Sequence, residues 1–568
     1  MGMRFAQHVG FFSSLCYDST YFWSDLVSSG ICVTTALPYA NGDLHLGHIL
    51  EQIQADIWCR FLKLCGEKVL FAGGDDAHGT AIMLSAEKQG VTPESWVEDI
   101  WKRHRADIVD FGVDMDVFYT TRSPENKALV EGIYRQLEDN GSIVKKSVEQ
   151  AYDLEAGMFL PDRFIRGTCP KCSAPDQYGD HCERCGAYYL PTELKDPYSV
   201  ISKSTPVSRT SEHVFFQLSR KADMLSQWIE GAHLQDAVSN KIQEWLHNDD
   251  GLQDWDISRD APYFGFQIPG YQDKYFYVWM DAPVGYMAAV QKYDQDHDTD
   301  FFKPIFSQQS DWELVHFIGK DLVNFHGVFW PTVLLSSGYR PPSALHVHGF
   351  ITINGEKMSK SKGTFITARD YLNALSPEYL RYYFACKLSD SIVDIDLNWQ
   401  DFVSRCNADL VGKAINIGSR TASFIHKYFS GRLSGELDDE SPYSMFIGKL
   451  DQIKSLYREK KFHLVTRELM QLADLANQYV DSKKPWQMIK QDGLEHEVQI
   501  VCTTAIHLFW ILAVYLQPII PDTSAKISKV LNRDIQSFDD VNVMFLGQEI
   551  DAFPRILERI TLDICPQS

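Results

Sequence analysis

The chain has 568 residues, of which 45% are hydrophobic and 23% charged, with a formal net charge of −22. This length exceeds what one hydrophobic core can organise, so about two to four domains are expected. The composition is that of a globular protein, and the absence of any run of about 18 apolar residues predicts no membrane span. The acidic balance argues against a general nucleic-acid coat protein, although a local basic surface for one RNA remains compatible with it.

The first thirty residues are rich in aromatic residues and serine, and Arg4 is their only lysine or arginine. No apolar stretch flanked by positive charge is present, which argues against a secretory signal. The acids Asp18 and Asp25 and the shortage of arginine also argue against a transit peptide. We therefore expect residues 1–30 to be an N-terminal extension outside the fold.

The regular pattern begins with a β-rich run at Ile31–Thr35, and Asn41-Gly42 then marks a turn. Apolar residues recur at helical spacing from Leu46 to Leu64. Another short apolar run, Val69–Ala72, is predicted to end at Gly73-Gly74. Strand, helix and strand in this order favour a βαβ unit and a parallel sheet.

Residues 140–256 differ in character, with many prolines and turns and little periodicity. Strand-like runs resume at Tyr275–Trp279, His316–Ile318 and Ala344–His348. From about residue 400 onward the pattern is helical almost throughout, which predicts an α-helical domain.

A short motif, His45-Leu46-Gly47-His48, lies where the first turn gives way to the predicted helix. Backbone N–H groups at a helix start attract anions, and Gly47 allows a phosphate or a base to approach closely. Two histidines at this point can donate hydrogen bonds to phosphate oxygens. The alternative is two surface histidines beside a turn, and the motif alone does not decide between them.

A second motif, Lys357-Met358-Ser359-Lys360-Ser361, lies in a polar, glycine-flanked stretch from Asn354 to Gly363. We call Lys357–Ser361 the lysine loop. A loop of this composition can bring ammonium groups to a polyphosphate, whereas the alternative is a solvated basic turn. The two motifs together favour an ATP site and adenylyl transfer.

Four of the twelve cysteines form two Cys-x-x-Cys pairs, Cys169/Cys172 and Cys182/Cys185. Four thiolates at this spacing predict one tetrahedral Zn²⁺ with no open position, which is a structural site. A pair of disulfides is the alternative. The remaining cysteines are scattered among apolar residues, as in a protein of a reducing compartment.

The two motifs are the signatures of class I aminoacyl-tRNA synthetases. Further segments resemble methionyl-tRNA synthetases, and the resemblance covers about residues 31 to 560. These segments are Ala36–Gly42, Asp75–Thr80, Trp279–Tyr286 and Phe317–Asp321 with His326 and Trp330.

The resemblance implies that methionine attacks the α-phosphorus of ATP, and that the aminoacyl group then passes to the 3′-terminal adenosine of tRNA(Met), for initiation and elongation of translation. His45 and His48 would hold ATP with Mg²⁺, and Lys360, supported by Lys357, would stabilise the leaving pyrophosphate. The implied ATP-binding residues are His45, Gly47, His48, Lys357, Met358, Ser359, Lys360 and Ser361.

For the amino acid, the resemblance implies that Asp76 binds the α-ammonium group, while the Tyr286 hydroxyl and the Leu37 N–H face the sulfur. The full implied set is Leu37, Tyr39, Asp76, Trp279, Ala282, Pro283, Tyr286 and His326. Aromatic edges suit a thioether, and Phe325 and Trp330 could join Trp279 and Tyr286 in this wall. Taken singly, these aromatic residues could equally be ordinary core residues.

In the helical region, Asn416, Arg420 and Trp486 match positions that contact the anticodon in similar enzymes. Single-stranded bases are read by stacking and by edge hydrogen bonds, and Trp486 suits stacking. At Gly412, one turn before Asn416, the similar enzymes carry Asn. This departure leaves the anticodon contact at that point open.

The fold class expected is α/β, a Rossmann-like parallel-sheet catalytic domain with a zinc-knuckle insertion, followed by an α-helical bundle that binds the anticodon. The chain lacks the C-terminal dimerisation domain of many similar enzymes, so we expect a monomer, located in the cytoplasm. The expected divisions are the extension, 1–30; the first catalytic half, 31–139; the connective insertion with the zinc knuckle, 140–256; the second catalytic half, 257–350; the catalytic-loop region, 351–398; and the helical anticodon-binding domain, 399–568.

Three other functions compete with this interpretation. A class I synthetase for leucine, isoleucine or valine would need more room for an editing domain, and one for cysteine would place a catalytic zinc in the pocket. A nucleotidyltransferase that never meets tRNA would not need the helical region. A zinc-bearing RNA-binding protein with relic motifs would not need His45, His48 and Lys360 intact.

Overall fold

The computed structural model describes residues 29–161, 164–179, 182, 184–185, 187, 189, 193–248, 251–358 and 365–566. Ser359, Lys360 and Ser361 of the lysine loop lie outside the described residues, as does almost all of the predicted extension 1–30.

A six-stranded parallel sheet, with strands drawn from residues 31–348, forms the centre of the N-terminal part of the protein. Its inner strands are almost entirely buried, because helices cover both faces of the sheet. The predicted α/β class with a parallel sheet is confirmed. In spatial order the strands are His233–Leu234, Ala344–His348, Glu313–Gly319, Ile31–Thr35, Val69–Asp75 and Val117–Thr120.

The helix Leu46–Leu64, here called the motif helix, joins two layers of the protein. On one side Trp58 packs against Phe317 of the central sheet, with ring centroids 5.8 Å apart. On the other side Phe61 stacks on Tyr457 of the helical region at 5.0 Å. The sequence predicted this helix by its spacing, and burial on both sides explains why 15 of its 19 residues are buried.

Further helices surround the sheet or follow it along the chain. They are Thr80–Gln89, Pro93–Asp110, Pro124–Asp139, Ala222–Gly231, Asp236–Leu246, Val278–Asp281, Val284–His297, Phe302–Phe306, Trp330–Ser336, Ala368–Ala374 and Pro377–Lys387.

The region 140–256 contains more regular structure than its weak periodicity indicated. Its longest strands, Ile143–Asp153 and Val207–Phe216, pair along ten positions, and Met158–Phe159 and Trp255–Asp256 complete their sheet. A second sheet, around the cysteines, contains Ile165–Thr168, Gln177–Tyr178 and Lys195–Ser199. The same region also returns His233–Leu234 to the edge of the central sheet.

Two local predictions were wrong. The strand at Val69 does not end at the glycine pair but continues to Asp75, because Gly74 lies against the backbone of the neighbouring strand. A Cβ at Gly74 would lie 2.7 Å from the Tyr119 carbonyl oxygen. In the predicted strand 275–279, only Lys274–Phe276 is extended, paired with Ser258–Asp260, and a short helix begins at Val278.

The C-terminal region is helical, as predicted. The helices are Trp399–Arg405, the π-helical turns Cys406–Ile415, Asn416–Phe429, Tyr443–Gly448, Leu450–Arg458, Phe462–Lys483, Pro485–Met488, Glu495–Leu516 and Pro521–Val530. Within the described residues, Glu495–Leu516 alone is long and apolar enough to cross a membrane, but 89% of its most apolar window is buried inside the protein, as in a core helix.

Candidate active site

The two histidines of the first motif cap the motif helix together. His45 Nδ1 accepts a hydrogen bond from the Gly47 backbone N–H at 3.0 Å, and His48 Nδ1 accepts one from the His45 N–H at 3.3 Å. Their rings are stacked with centroids 3.7 Å apart. The pair therefore satisfies donors at the helix start that would otherwise lack partners.

This capping also fixes the tautomer that each ring adopts in its neutral form. Because each Nδ1 accepts a hydrogen bond, the neutral rings carry their proton on Nε2. Desolvation, reinforced by the nearby His45, holds the pKa of His48 well below its usual value. His48 is therefore a neutral imidazole with one N–H available to a ligand.

Met358 of the lysine loop and Phe365, which follows the loop, both contact the start of the motif helix. A Cβ at Gly47 would lie 3.2 Å from the Met358 methyl group and 2.8 Å from the His45 ring, so this position has no room for a side chain. On the far flank, Phe365 meets the His45 ring edge-on at 5.4 Å. The backbone between Leu44 and Leu46 is hydrogen-bonded to Ile366 and Ala368. The structure thus brings the two motifs together, although they lie some three hundred residues apart in the chain.

The glycine-flanked setting of Lys357 had indicated irregular backbone, but the structure places this residue in a strand. It ends the short strand Glu356–Lys357, which pairs with Ile351–Ile353. That strand in turn runs parallel to Ile395–Leu397. The exposed Lys357 ammonium lies 5.8 Å from the centre of the Phe350 ring, on a small sheet that carries the lysine loop.

A cavity of ≈ 740 Å³, here called the edge cavity, opens beside the carboxyl ends of strands Ile31–Thr35 and Val69–Asp75. This is the position where parallel α/β sheets bind ligands. Among the predicted amino-acid residues, Leu37, Tyr39, Asp76 and Trp279 line it. Its other walls include Asn41, Thr80, Tyr178, Arg259, Tyr263 and Tyr277.

Asp76 is a buried carboxyl group at the wall of the edge cavity. Backbone hydrogen bonds to Pro38 and Ala40 hold the residue in place, at 2.9 and 2.8 Å. Its Oδ1 has no hydrogen-bond partner among the described residues. Burial, followed by the nearby Asp281, raises the pKa of Asp76 well above its usual value. An ammonium ion in the cavity would satisfy this oxygen and restore the carboxylate.

Tyr286 and His326 lie behind the cavity wall, fully buried. The Tyr286 hydroxyl is 2.9 Å from His326 Nε2. Burial raises the pKa of Tyr286 strongly, while a hydrogen bond from the Leu37 backbone N–H acts in the opposite direction. Burial also lowers the pKa of His326 to about 4, so this ring is neutral at physiological pH. The Leu37 N–H, the Tyr286 hydroxyl and the His326 ring therefore form one hydrogen-bonded group. The resemblance implied that these three residues belong to one site.

Ala282 and Pro283 connect the helix that carries Trp279 to the helix that carries Tyr286. They do not line the edge cavity but form the junction between these two helices. Trp330 does not line the cavity either. It is fully buried and donates its indole N–H to His316 Nε2 at 3.2 Å, which places it in the core.

The four knuckle cysteines come together as the spacing predicted. All four are unbridged, and their sulfur atoms lie within 4.8 Å of one another. The Sγ atoms of Cys169 and Cys185 are 3.9 Å apart, and those of Cys172 and Cys182 are 3.6 Å apart. Four sulfurs on a tetrahedral Zn²⁺ lie about 3.8 Å apart, so the donor set fits this ion.

Backbone groups around the knuckles also suit thiolates. The N–H groups of Cys172 and Cys185 donate to the sulfurs of Cys169 and Cys182, each at 3.4 Å. Desolvation opposes ionisation of Cys169, yet the backbone N–H groups of Cys172 and Lys171, together with the neighbouring thiols of Cys172 and Cys182, lower its pKa to about 7. The cysteine sheet also supplies Tyr178 to the edge cavity, with the Arg166 guanidinium 4.1 Å from the centre of its ring.

Comparison with known families shows which family has this architecture. The family model described as tRNA synthetases class I (M) matches residues 31–422, and the model of the anticodon binding domain of methionyl tRNA ligase matches residues 438–553. The chain belongs to the class I tRNA synthetases (M). It is therefore a ligase of the methionyl-tRNA synthetase family.

Solved structures agree with this synthetase in fold. The Mycobacterium tuberculosis methionyl-tRNA synthetase in complex with methionyl-adenylate is 24% identical, with a TM-score of 0.76 over 93% of this chain and 100% of that chain. The apo form of the Mycobacterium tuberculosis enzyme is 21% identical, with a TM-score of 0.71 over 94% of this chain and 99% of that chain.

On the helical region of the synthetase, the three residues predicted to contact the anticodon lie on one surface. We call Asn416, Arg420 and Trp486 the anticodon face. The Arg420 guanidinium lies 4.7 Å from the centre of the Trp486 ring and pairs with Asp481 at 2.8 Å. Asn416, one turn earlier on the same helix, donates to the Asn477 side chain at 3.2 Å.

Sequence reasoning missed several groups of this site. Arg259 lies 3.7 Å from the centre of the Tyr277 ring, and both line the edge cavity. Tyr277 escaped notice because residues 275–279 were interpreted as one strand. Glu51, on the motif helix, accepts the Ala36 N–H at 2.5 Å and binds His348 at 3.1 Å. Glu51 could have been found from the sequence, because a carboxylate on the apolar face of a predicted helix indicates a buried polar partner.

Proposed function

We propose that this synthetase activates L-methionine with ATP in the edge cavity and at the start of the motif helix, and transfers it to the 3′-terminal adenosine of tRNA(Met). The observation that carries the assignment is the buried, unpartnered Oδ1 of Asp76 in a cavity at the sheet's carboxyl edge. A methionine carboxylate oxygen forms a bond to the α-phosphorus of ATP, and the bond to pyrophosphate breaks. A ribose hydroxyl oxygen of the tRNA then forms an ester bond to the methionyl carbonyl carbon, the bond from that carbon to AMP breaks, and the hydroxyl proton leaves with AMP.

At the ATP end, the Nε2–H groups of His45 and His48 donate to the phosphates. Neutral donors fixed by their own backbone hydrogen bonds need no reorganisation as negative charge develops. Gly47 leaves room for ATP to approach. Lys357, Met358, Ser359, Lys360 and Ser361 belong to the ATP site, with Lys360 stabilising the leaving pyrophosphate. The contacts of Met358 and Phe365 with the helix start support this placement.

At the methionine end, Asp76 binds the α-ammonium group. The buried Tyr286–His326 pair and the Leu37 N–H face the thioether. Tyr39 and Trp279 form walls of the cavity, and Ala282 and Pro283 set the helix angle that positions Tyr286. A few fixed polar groups and the aromatic walls of the cavity select methionine by shape and by one weak sulfur contact.

Mg²⁺ accompanies ATP, and one Zn²⁺ held by Cys169, Cys172, Cys182 and Cys185 supports the wall that carries Tyr178. Asn416, Arg420 and Trp486 contact the anticodon. We further propose a cytoplasmic monomer, with the domain divisions given above.

Charging of tRNA(Met) tests the whole assignment. The purified protein with zinc is expected to attach labelled methionine to a tRNA(Met) transcript, with ATP consumed to AMP and pyrophosphate. A transcript with another anticodon should be a much poorer substrate. Equal charging of both transcripts would remove the anticodon assignment, and failure to charge either would contradict the transfer step.

A further inference from the structure

His213 is a buried histidine that has a carboxylate at each ring nitrogen. It lies on the strand Val207–Phe216, and its side chain is inaccessible to solvent. Its Nδ1 lies 2.6 Å from Oδ2 of Asp256, and its Nε2 lies 3.0 Å from Oδ2 of Asp260. An ionised carboxylate only accepts hydrogen bonds, so both ring nitrogens donate and the ring is an imidazolium.

The groups around the His213 ring support this charge. Desolvation opposes the positive charge, yet the hydrogen bonds to Asp256 and Asp260 raise the pKa of His213. Burial likewise opposes ionisation of Asp260, but His213 and Lys274 hold the pKa of Asp260 below its usual value. Lys274 is itself buried, bonds Asp260 and donates to Ser211 at 2.7 Å. Two cations and two carboxylates therefore form one cluster of balanced charge.

Asp256 connects His213 to the wall of the edge cavity. The oxygen that binds His213, Oδ2, also lies 3.4 Å from Nη1 of Arg259. The other oxygen, Oδ1, accepts the Ser258 N–H at 3.0 Å and the Ser258 hydroxyl at 3.2 Å. This carboxylate therefore cannot rotate without losing several hydrogen bonds. The Arg259 guanidinium, paired with it, lies 3.7 Å from the centre of the Tyr277 ring.

Arg259 is the only lysine or arginine among the described residues that line the edge cavity. Together with Tyr277 and Trp279, it also borders a second cavity, of ≈ 440 Å³. A guanidinium between two cavities can turn toward either one, and only a turn toward the edge cavity brings it to the carboxylate of methionine. Guanidinium groups suit carboxylates because they can donate two parallel hydrogen bonds. The orientation of Arg259 therefore matters for the step in which that carboxylate attacks ATP.

We propose that His213 is a positioning residue for methionine activation, which acts through Asp256 to hold the Arg259 guanidinium toward the edge cavity. His213 itself lines neither cavity. Without the imidazolium, Asp256 would lose one of the donors that fix it, and Arg259 would lose its orientation. The inference rests on the proposed function, because it concerns the methionine that the edge cavity is proposed to bind.

The first test compares two amide variants of His213. Asparagine places its amide nitrogen near Nδ1 and keeps a donor for Asp256, whereas glutamine reaches the Nε2 position and keeps a donor for Asp260. His213→Gln is expected to lower kcat/KM for methionine in pyrophosphate–ATP exchange by about tenfold, the effect of one lost hydrogen bond to a charged group. His213→Asn should stay within about threefold of the parent, because this bond is kept. Equal losses in both variants would show a merely structural role and overturn the proposal.

A double-mutant cycle tests the route through Arg259. Arg259→Ala should lower kcat/KM by more than His213→Gln does, and adding His213→Gln to Arg259→Ala should cause less than about a twofold further loss. Losses that multiply would show that His213 acts by another route, and a normal kcat/KM in Arg259→Ala would also contradict the proposal.

Glu212→Gln is the matched control for the His213 variants. The exposed Glu212 pairs with Lys145 at 3.6 Å between the same two strands, so its substitution removes a surface ion pair and leaves the cluster intact. It should change kcat/KM less than about twofold. A loss as large as that of His213→Gln would assign the effect to the strands and overturn the proposal.

Asp256→Asn keeps the test independent of the folding of the His213 variants. It neutralises the oxygen that His213 and Arg259 share, on the more exposed side of the cluster. It should lower kcat/KM about as much as His213→Gln does. If the parent protein lacks methionine-dependent exchange, the proposed function fails. If the parent exchanges and Asp256→Asn matches it, only the present inference fails.

Discussion

The edge cavity and the anticodon face hold polar groups in opposite ways. At the edge cavity, Asp76, Tyr286 and His326 are buried, and burial shifts the pKa of each toward its neutral form. On the anticodon face, Arg420 and Trp486 lie at the surface, and Arg420 pairs with a solvated carboxylate. Chemistry needs fixed groups in a dry site, whereas a single-stranded RNA loop needs accessible planes and charges. Substitutions should therefore act on different steps and with different sizes.

The largest effect is expected at Asp76. Asp76→Asn removes the carboxylate that would pair with the α-ammonium group, and loss of one partner of a buried pair costs about 3–5 kcal/mol. We expect the KM for methionine in pyrophosphate–ATP exchange to rise at least about a hundredfold. Asp75→Asn is the matched control, because Asp75 is buried beside it but does not line the cavity. Equal effects of both substitutions would remove Asp76 from substrate binding.

His48 provides a sharper test of the ATP end. A glutamine amide can reproduce a donor near Nε2, whereas an asparagine amide lies near Nδ1. His48→Asn should therefore lower kcat for adenylate formation by about 10²–10³-fold, the cost of one donor to developing charge. His48→Gln should retain more activity. The same rate for both variants would show that the Nε2 donor is not the active group.

The comparison of the two regions also indicates what a sequence can predict. Periodicity found the motif helix, and Cys-x-x-Cys spacing found the metal set, because both patterns are local. The histidine capping box was not predictable, since it depends on the side-chain orientation of His45 and His48 after folding. The strand through Gly74 was interpreted wrongly, because the close approach of Tyr119 is a tertiary contact.

The candidate residues were found with similarly uneven success. Leu37, Tyr39, Asp76 and Trp279 came from resemblance, and the fold brings them to one cavity. Arg259 was missed, because its approach to the Tyr277 ring is a contact between side chains that exists only after folding. Such a contact leaves no local pattern in the sequence.

Removal of the metal should lower activity indirectly, through the wall of the edge cavity. Cys182→Ser is expected to lower the zinc content and to reduce exchange about tenfold or more, because the cysteine sheet carries the wall residue Tyr178. Cys65→Ser, at a thiol away from the cluster, should retain one zinc per chain by elemental analysis. Full exchange activity in a zinc-depleted Cys182→Ser protein would separate the knuckle from the cavity.

On the anticodon face, Trp486→Ala should remove one stacking platform, worth about 1–3 kcal/mol per base. The KM for tRNA(Met) should rise about 5- to 150-fold, while pyrophosphate–ATP exchange stays unchanged. Tyr428→Ala, at an exposed aromatic residue elsewhere in the helical region, serves as control, and the unchanged exchange activity shows that loss of the half-buried Trp486 ring leaves the protein folded. A loss of exchange in Trp486→Ala would contradict the separation of the two regions.

The smallest expected effect is the release of a proton when methionine binds. Because burial raises the pKa of Asp76, while an ammonium group favours the carboxylate, the carboxyl holds its proton more strongly in the empty cavity than in the methionine complex. Methionine binding should therefore release a proton, and its affinity should rise with pH by at most about tenfold per unit. Calorimetry in two buffers of different ionisation enthalpy measures this release. Proton uptake on binding, or the same release in Asp76→Asn, would contradict the assignment.

The central claim is that the edge cavity activates methionine, and pyrophosphate–ATP exchange with each of the twenty amino acids tests it most directly. The protein, folded and supplied with zinc and Mg²⁺, is predicted to exchange with methionine alone. Exchange with leucine, isoleucine, valine or cysteine at a comparable rate, or with no amino acid at all, would contradict it.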